Sequence, residues 1–478
     1  MQLPSWLKTT WRILRWLLLA ILLLAMTLIA ALWWANRHDD PLRPEVAALL
    51  KFEPPSPEAM RGNGYFIMLG LGAPDGEDAF EAGKRFFAVQ LKEYEQLQRT
   101  RHHRSYADEA PKHLSIDIAL VRCPPEADDC YAHYLKHADE IRAATAKYAV
   151  VVERYLSLLD APEYVEVPVP SYLVPWPHYA DWTAVSELVV IQAALLLNGP
   201  HQTEGLALLA RNAQIHQRLM SGSRSLIGAM VALESQMRQR RLVSSALRHV
   251  PRLAVDNHDS TFALSAAPVN LSAPMKEELA QMLIHYNDPM LSNPFDDPDG
   301  LPWSDRLARY AIQALERLSY LPHATANAAY EDRKVSIALA KLPADQLAAQ
   351  VEAAQSVVEA RRQSRGLSLR NPVGDAVRGV VTMDLLVTYI QRAHDVEAHR
   401  RLVQLQIKAL KERVPLAQMP TWLAAQPPEL RNPYTLQPMG WDAATQALVF
   451  EGRQPNTQNP EPRNLFRVPI GPVATAAH

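Results

Sequence analysis

The chain has 478 residues, enough for two or three domains, and a formal net charge of −2 that removes any general electrostatic case for nucleic-acid binding. It carries 37 Pro and only 17 Gly, where average usage would give roughly 24 and 33. Scarce Gly counts against phosphate-cradling loops and all-β folds built on tight turns, while 48% hydrophobic and 21% charged residues permit a sizeable core and exclude global disorder.

The strongest local signal comes first. Residues 16–35 hold no charge, and Thr27 is their only polar residue. At about 1.5 Å rise per residue this segment matches the roughly 30 Å of bilayer hydrocarbon. Trp11 and Trp16 stand at one end and Trp33 and Trp34 at the other, as an interfacial aromatic belt requires. Lys8, Arg12 and Arg15 precede the span, whereas Arg37 and Arg43 follow it with Asp39 and Asp40 between them. The positive-inside rule then puts the N-terminus in the cytoplasm and everything after residue 36 outside. A cleaved signal peptide is the competing reading. Its apolar core would be about 7–15 residues long and would end in small residues, and this core is longer, with bulky Trp33 two residues before Ala35. The expectation is an uncleaved single-pass anchor whose first partner is the lipid bilayer, through residues 16–35.

Residues 37–60, with Pro41, Pro44, Pro54, Pro55 and Pro57, read as an extended spacer. Residues 64–74 (Gly-Tyr-Phe-Ile-Met-Leu-Gly-Leu-Gly-Ala-Pro) are short, apolar and aromatic, which predicts a buried strand or extended segment. Their glycines lack nucleotide-loop spacing and read as a turn. An amphipathic helix is expected over 77–100, another over 131–160, and an extended Pro-rich connector over 162–182.

Between them lie the only cysteines, Cys123 and Cys130. In an oxidising compartment a disulfide is the expected state. The alternatives are free thiols or a metal set in which Cys130, His133 and His137 share one helix face and Cys123 adds a fourth ligand, without zinc-finger spacing.

Ala184 to Leu197 is nearly all apolar and predicts a central buried helix, ended by Asn198-Gly-Pro200 and answered by a partner over 201–220. Ser221 to Ser225 precede the next helix as a cap. Further helices are expected over 274–286, 304–320, 325–341, 343–363 and 375–413, with Asn371-Pro-Val-Gly374 as punctuation. Pro438 to Trp441 and Ala447 to Glu451 read as two strands joined by 442–446, and 453–478 as peripheral tail. The fold class is therefore mainly α: a transmembrane helix, an irregular helical bundle or solenoid-like domain, and a short hairpin-like element near the C-terminus. The divisions are 1–36 anchor, 37–60 spacer, 61–181 small subdomain with the cysteine loop, 182–413 helical domain and 414–478 tail.

Motifs for chemistry are sparse. Nucleophile-elbow, zinc-protease, Walker and complete EF-hand patterns are missing, and no cofactor is expected. Asp296-Asp-Pro-Asp-Gly300 opens like a calcium loop but lacks the closing Glu. His394 and Glu397, at i and i+3, are the pair from which an acid–base site could be built, though a solvated, salt-bridged helix face explains them more simply. Gln236 to Arg241 reads as a basic surface patch.

Asn432-Pro-Tyr-Thr-Leu-Gln-Pro-Met-Gly-Trp-Asp442 followed by Leu448-Val-Phe-Glu-Gly452, together with Asn212 to Ala229, resembles segments of uncharacterised, membrane-anchored proteobacterial proteins. The position after Thr435, usually Gly in that group, is Leu436 here. The resemblance implies a Gram-negative inner-membrane protein facing the periplasm and brings no activity. Anchor, spacer and paired helices without a catalytic set favour an interaction or scaffold protein with a periplasmic protein partner. An immunity-type inhibitor of a periplasmic toxin and an envelope-polymer hydrolase are the alternatives.

Overall fold

The computed structural model describes residues 5–100, 114–124, 127–171, 174–254, 261–262, 264, 270–287, 302–365, 368–379, 383–453 and 464–471. Among the described residues there are eighteen α-helices and one small sheet. In chain order the helices are α1 Ser5–Asn36, α2 Pro44–Leu49, α3 Pro57–Met60, α4 Tyr65–Leu69, α5 Ala79–Thr100, α6 Cys130–Lys136, α7 Ala138–Lys147, α8 Ala149–Ser157 and α9 Tyr179–Leu197. There follow α10 Gln202–Gly222, α11 Leu226–His249, α12 Ser272–Asn287, α13 Trp303–Ser319, α14 Pro322–Leu339, α15 Ala344–Arg365, α16 Pro372–Arg378, α17 Met383–Lys411 and α18 Met419–Ala424. Strands β1 Gly440–Asp442, β2 Ala447–Glu451 and β3 Leu465–Pro469 form an antiparallel sheet in the order β1-β2-β3. The protein is thus mainly helical with an apolar N-terminal helix and a small C-terminal β element. The third strand falls where the sequence reads as peripheral tail: its partner β2 is contiguous and alternating, but β3 lies across an Asn- and Pro-rich stretch that carries no hairpin signal.

The chain forms two compact units assembled from separated stretches, whereas the sequence reading divides it consecutively. One unit comprises Met1–Lys51, Gln281–Asp332 and Ser356–Thr382; the other comprises Phe52–Ala280, Arg333–Gln355 and Met383–His478.

In the first unit, α1 is long and apolar enough to cross a membrane. Its single polar side chain within the apolar run, Thr27, donates to the Leu23 carbonyl at 2.8 Å, so no polar group is left unpaired there. Trp11, Trp16, Trp33 and Trp34 are all exposed, and the Arg37 guanidinium sits 3.5 Å over the Trp34 ring. The segment after the span differs from the extended spacer expected. Pro44 here, and Pro57 in the second unit, occupy first-turn positions, where a missing N–H costs nothing, and start short helices instead. Residues 39–43 are fastened down: Asp39 accepts from the backbone N–H groups of His323 and Ala324, Asn327 donates to the Pro41 carbonyl, and Arg43 pairs with Glu331 at 2.6 Å. Asn371, in the left-handed region at φ 57°, accepts from the Leu321 N–H and donates to Thr325 Oγ1, both at 2.8 Å.

In the second unit, α9 is the core. It is predominantly apolar and long enough to cross a membrane, but most of it is buried by α6, α7, α8, α10 and α11. Residues 64–74 are a correction to the strand expected: Tyr65–Leu69 form α4, which crosses α5 at backbone contact. A Cβ on Gly70 would lie 1.8 Å from the Ala79 carbonyl oxygen, and one on Gly83 would lie 1.7 Å from that of Phe66. Two glycines thus let two helices meet where a strand has no edge to join. The helix expected over 131–160 is three, broken at His137 (φ −105°) and Tyr148 (φ −106°) with no Gly or Pro to signal it. At the second break the Tyr148 hydroxyl accepts from the Asp117 N–H at 3.1 Å. The helix expected over 375–413 divides into α16 and α17.

Candidate functional site

Buried polar groups are the raw material for chemistry, and the second unit has three clusters of them. The first joins four helices. The Tyr155 hydroxyl donates to Asn212 Oδ1 at 2.8 Å, Asn212 Nδ2 donates to Gln239 Oε1 at 2.9 Å, and the Ser186 hydroxyl meets His216 Nε2 at 2.8 Å. His216 is fully enclosed, and burial followed by the Arg240 charge pushes it down to about 3, so the ring is neutral.

The second cluster surrounds Glu166, in the Pro-rich connector. Its carboxylate accepts from the backbone N–H groups of Arg224 and Ser225 at 2.7 and 2.8 Å, from the Ser225 hydroxyl and from the Tyr179 hydroxyl. This is an anion seated on the N-terminus of α11, with Ser225 as the cap that also accepts from the Gly228 N–H at 2.9 Å. A Cβ on Gly228 would lie 2.1 Å from Glu166 Oε1, and one on Gly222 would lie 1.9 Å from the Tyr164 carbonyl oxygen. Burial pushes the Glu166 carboxyl up against the pull of these hydrogen bonds. Glu277, on α12, is pushed up to about 7, first by burial, so it can exchange a proton near neutral pH. Neither Glu stands out in the sequence: one lies between two valines and the other beside Glu278, and only the fold buries them.

The third cluster gathers the tail motif on α17. Asp395, almost fully buried, accepts from the Tyr434 hydroxyl at 2.8 Å and from the Arg453 N–H at 3.0 Å. Tyr434 stacks on Phe450 with centroids 6.2 Å apart, and Arg453 lies 4.5 Å over the Tyr434 ring. A Cβ on Gly452 would lie 2.4 Å from Asp395 Oδ2. Asn432 Oδ1 accepts from the Tyr434 N–H at 2.9 Å, and Leu436 sits at φ 56°. Asn212, Gly222, Ser225 and Gly228 of one singled-out stretch, and Tyr434, Leu436 and Gly452 of the other, therefore occupy sterically or electrostatically constrained positions. The chain matches no protein-family model, no curated protein and no solved structure.

Cys123 and Cys130 stand at disulfide distance, with Cα atoms 5.3 Å apart. The bond removes both thiolates from the metal set. His133 and His137 remain close, with ring centroids 4.8 Å apart, and among the described residues no group of three His, Cys, Asp or Glu side chains is placed to hold a metal. His394 and Glu397 form no acid–base pair, and the face is buried rather than solvated. Glu397 is gripped by Arg400 and Arg401 at 2.6 and 3.0 Å; burial opposes its charge, but these two guanidiniums hold its carboxyl below the usual range. Burial pushes His394 down to about 4. The basic run at 236–241 is likewise not a surface patch. Arg238 pairs with buried Glu187, Arg240 is buried and donates to the Val396 carbonyl at 3.2 Å, and Arg241 donates to the Pro124 and Ala127 carbonyls of the cysteine loop. Six consecutive residues on a helix cannot share one face, and α11 is enclosed on several sides. The acidic loop 296–300 lies outside the described residues.

An open depression of about 270 Å³ is lined by Val152, Glu153, Leu156, Gln192, Leu208 and Arg211 among others. It holds none of the three clusters. The carboxylates Glu166, Asp395 and Glu397 spend their oxygens on internal donors, which makes them fasteners between helices, connector and sheet.

Proposed function

We propose that this chain is an inner-membrane-anchored protein whose mass after residue 36 lies in the periplasm, where it serves as an interaction or scaffold module of the cell envelope. The observation that carries the reading is the join between the span and the first unit. Asn36 donates to the Leu369 carbonyl at 2.8 Å and accepts from the Asn371 N–H at 2.6 Å, while Arg370 pairs with Asp40 at 2.6 Å. A flexible tether serves an enzyme with a diffusing substrate; a stem bolted to its own unit suits a protein that presents a surface at a set height above the bilayer. Lys8, Arg12 and Arg15 before the span support an N-terminus in the cytoplasm, and the cysteine pair at disulfide distance supports an oxidising compartment for the rest. The likeness of 432–452 to tails of membrane-anchored proteobacterial proteins supports the same placement.

Crosslinking of the full chain in intact cells, read by mass spectrometry, tests the function. A recurrent envelope protein crosslinked through defined surface residues, and lost when those residues are substituted, is the expected result. Recovery of the chain alone overturns the scaffold reading.

A further inference from the structure

Among the described residues of the first unit, α13 leaves an apolar face uncovered. On α13, Trp303, Leu307 and Tyr310 are 73%, 61% and 61% exposed. At about 100° per residue these positions, with exposed Ala314, fall within an arc of roughly 60°. Asp305 and Glu316 lie on other sides of the same helix. Such a stripe on a soluble surface would be a liability.

Its place in the unit says what covers it. Helix α13 packs against α1. Among the described side chains of α1, Thr10 through Ala30 are exposed, and partial burial falls only on Ala31, Leu32, Ala35 and Asn36. The unit therefore grips the span at its last turns, within about 8 Å along the axis of its end. Trp33 and Trp34 belong to that same layer, on the exposed side. Leu369, half exposed, is held there by its carbonyl bond from Asn36. Trp33, Trp34 and Leu369 thus gather at the end of the span against which α13's unit packs, in residue types that favour the boundary between headgroups and acyl chains.

We propose that α13 is an interfacial helix: it lies in the headgroup–acyl boundary of the bilayer beside the end of α1, with Trp303, Leu307 and Tyr310 buried in lipid. The proposal rests on reading α1 as a membrane span. It makes the anchor a two-point attachment, a span plus a surface helix, which resists tilt and rotation of the first unit.

The test uses the full chain in vesicles of phosphatidylethanolamine and phosphatidylglycerol at three to one, with the native cysteines kept oxidised. An environment-sensitive fluorophore is placed on Leu307→Cys, on Tyr310→Cys and, near the middle of the span, on Leu24→Cys. Circular dichroism checks that each variant keeps its helix content. Because an interfacial helix sits about 5–10 Å deep, labels at 307 and 310 should be quenched at least about twofold more by a shallow nitroxide lipid than by a deep one, and the label at 24 more by the deep one. Quenching at 24 with none at 307 or 310 overturns the proposal and leaves the span intact. No quenching at any of the three overturns the span reading and the proposal with it.

Discussion

Lowering the pH should unfold the second unit through its buried histidines. Burial, with nearby arginines at two of the three, pushes His216 and His399 down to about 3, and burial pushes His394 down to about 4. In the unfolded chain all three return to about 6.5. Below that pH the unfolded chain takes up three protons that the folded chain refuses. Their stabilisation is complete above about pH 6.5 and is lost as pH falls toward 3–4, at about 1.4 kcal/mol per pH unit for each proton. Glu277, raised to about 7 first by burial, acts in the opposite sense: folded, it holds a proton that the unfolded chain has released. Three protons against one leave a net loss of up to about 2.7 kcal/mol per pH unit between pH 6 and 5, against a total stability of about 5–15 kcal/mol. Urea titrations of the full chain in non-ionic detergent, followed by circular dichroism at half-unit pH steps, measure the slope. His399→Gln removes one proton from the balance and should flatten it by about 1.4 kcal/mol per pH unit. Stability that stays level or rises from pH 6.5 to 5, or a slope unchanged in His399→Gln, refutes the reasoning.

Reducing the Cys123–Cys130 bond, which closes a short loop, should cost about 2.5 kcal/mol, read as a lower urea midpoint in Cys123→Ser/Cys130→Ser. Leu436→Gly should stabilise the protein by about 0.5–1 kcal/mol. Leucine at φ 56° carries left-handed strain of about 1–2 kcal/mol, Gly costs about 0.5–1 in backbone freedom, and the half-exposed side chain loses little burial. Tyr434→Phe leaves buried Asp395 short of one donor and should cost about 1–2 kcal/mol in the same assay, without changing the net helix content.

Local rules made much of the helical order legible. The nearly unbroken apolarity of 184–197 announces the core helix α9, the serine run at 221–225 announces the cap of α11, and twenty uncharged residues announce α1. What was not legible depends on partners distant in the chain. Residues 64–74 carry a strand's composition, yet they fold as a helix because Gly70 and Gly83, far apart in any local window, admit close backbone approach. The break at Tyr148 answers a hydrogen bond to Asp117, and Arg240 is buried only because α17 covers it. The polar clusters show the same division. His394 and Glu397 are visible from spacing, but the guanidiniums that neutralise their chemistry sit on the same helix as ordinary surface-like charges. Glu166 has no motif at all, since its significance comes from the N-terminus of a helix about sixty residues later.

One membrane crossing with the rest of the chain beyond it is the central claim. The most direct test introduces Thr10→Cys before the span and Glu429→Cys on the exposed surface of the second unit, and treats intact spheroplasts with a membrane-impermeant maleimide. Labelling at 429 in intact spheroplasts, and at 10 only after lysis, is the result expected. Labelling at 10 with 429 protected, or at both without lysis, would contradict it.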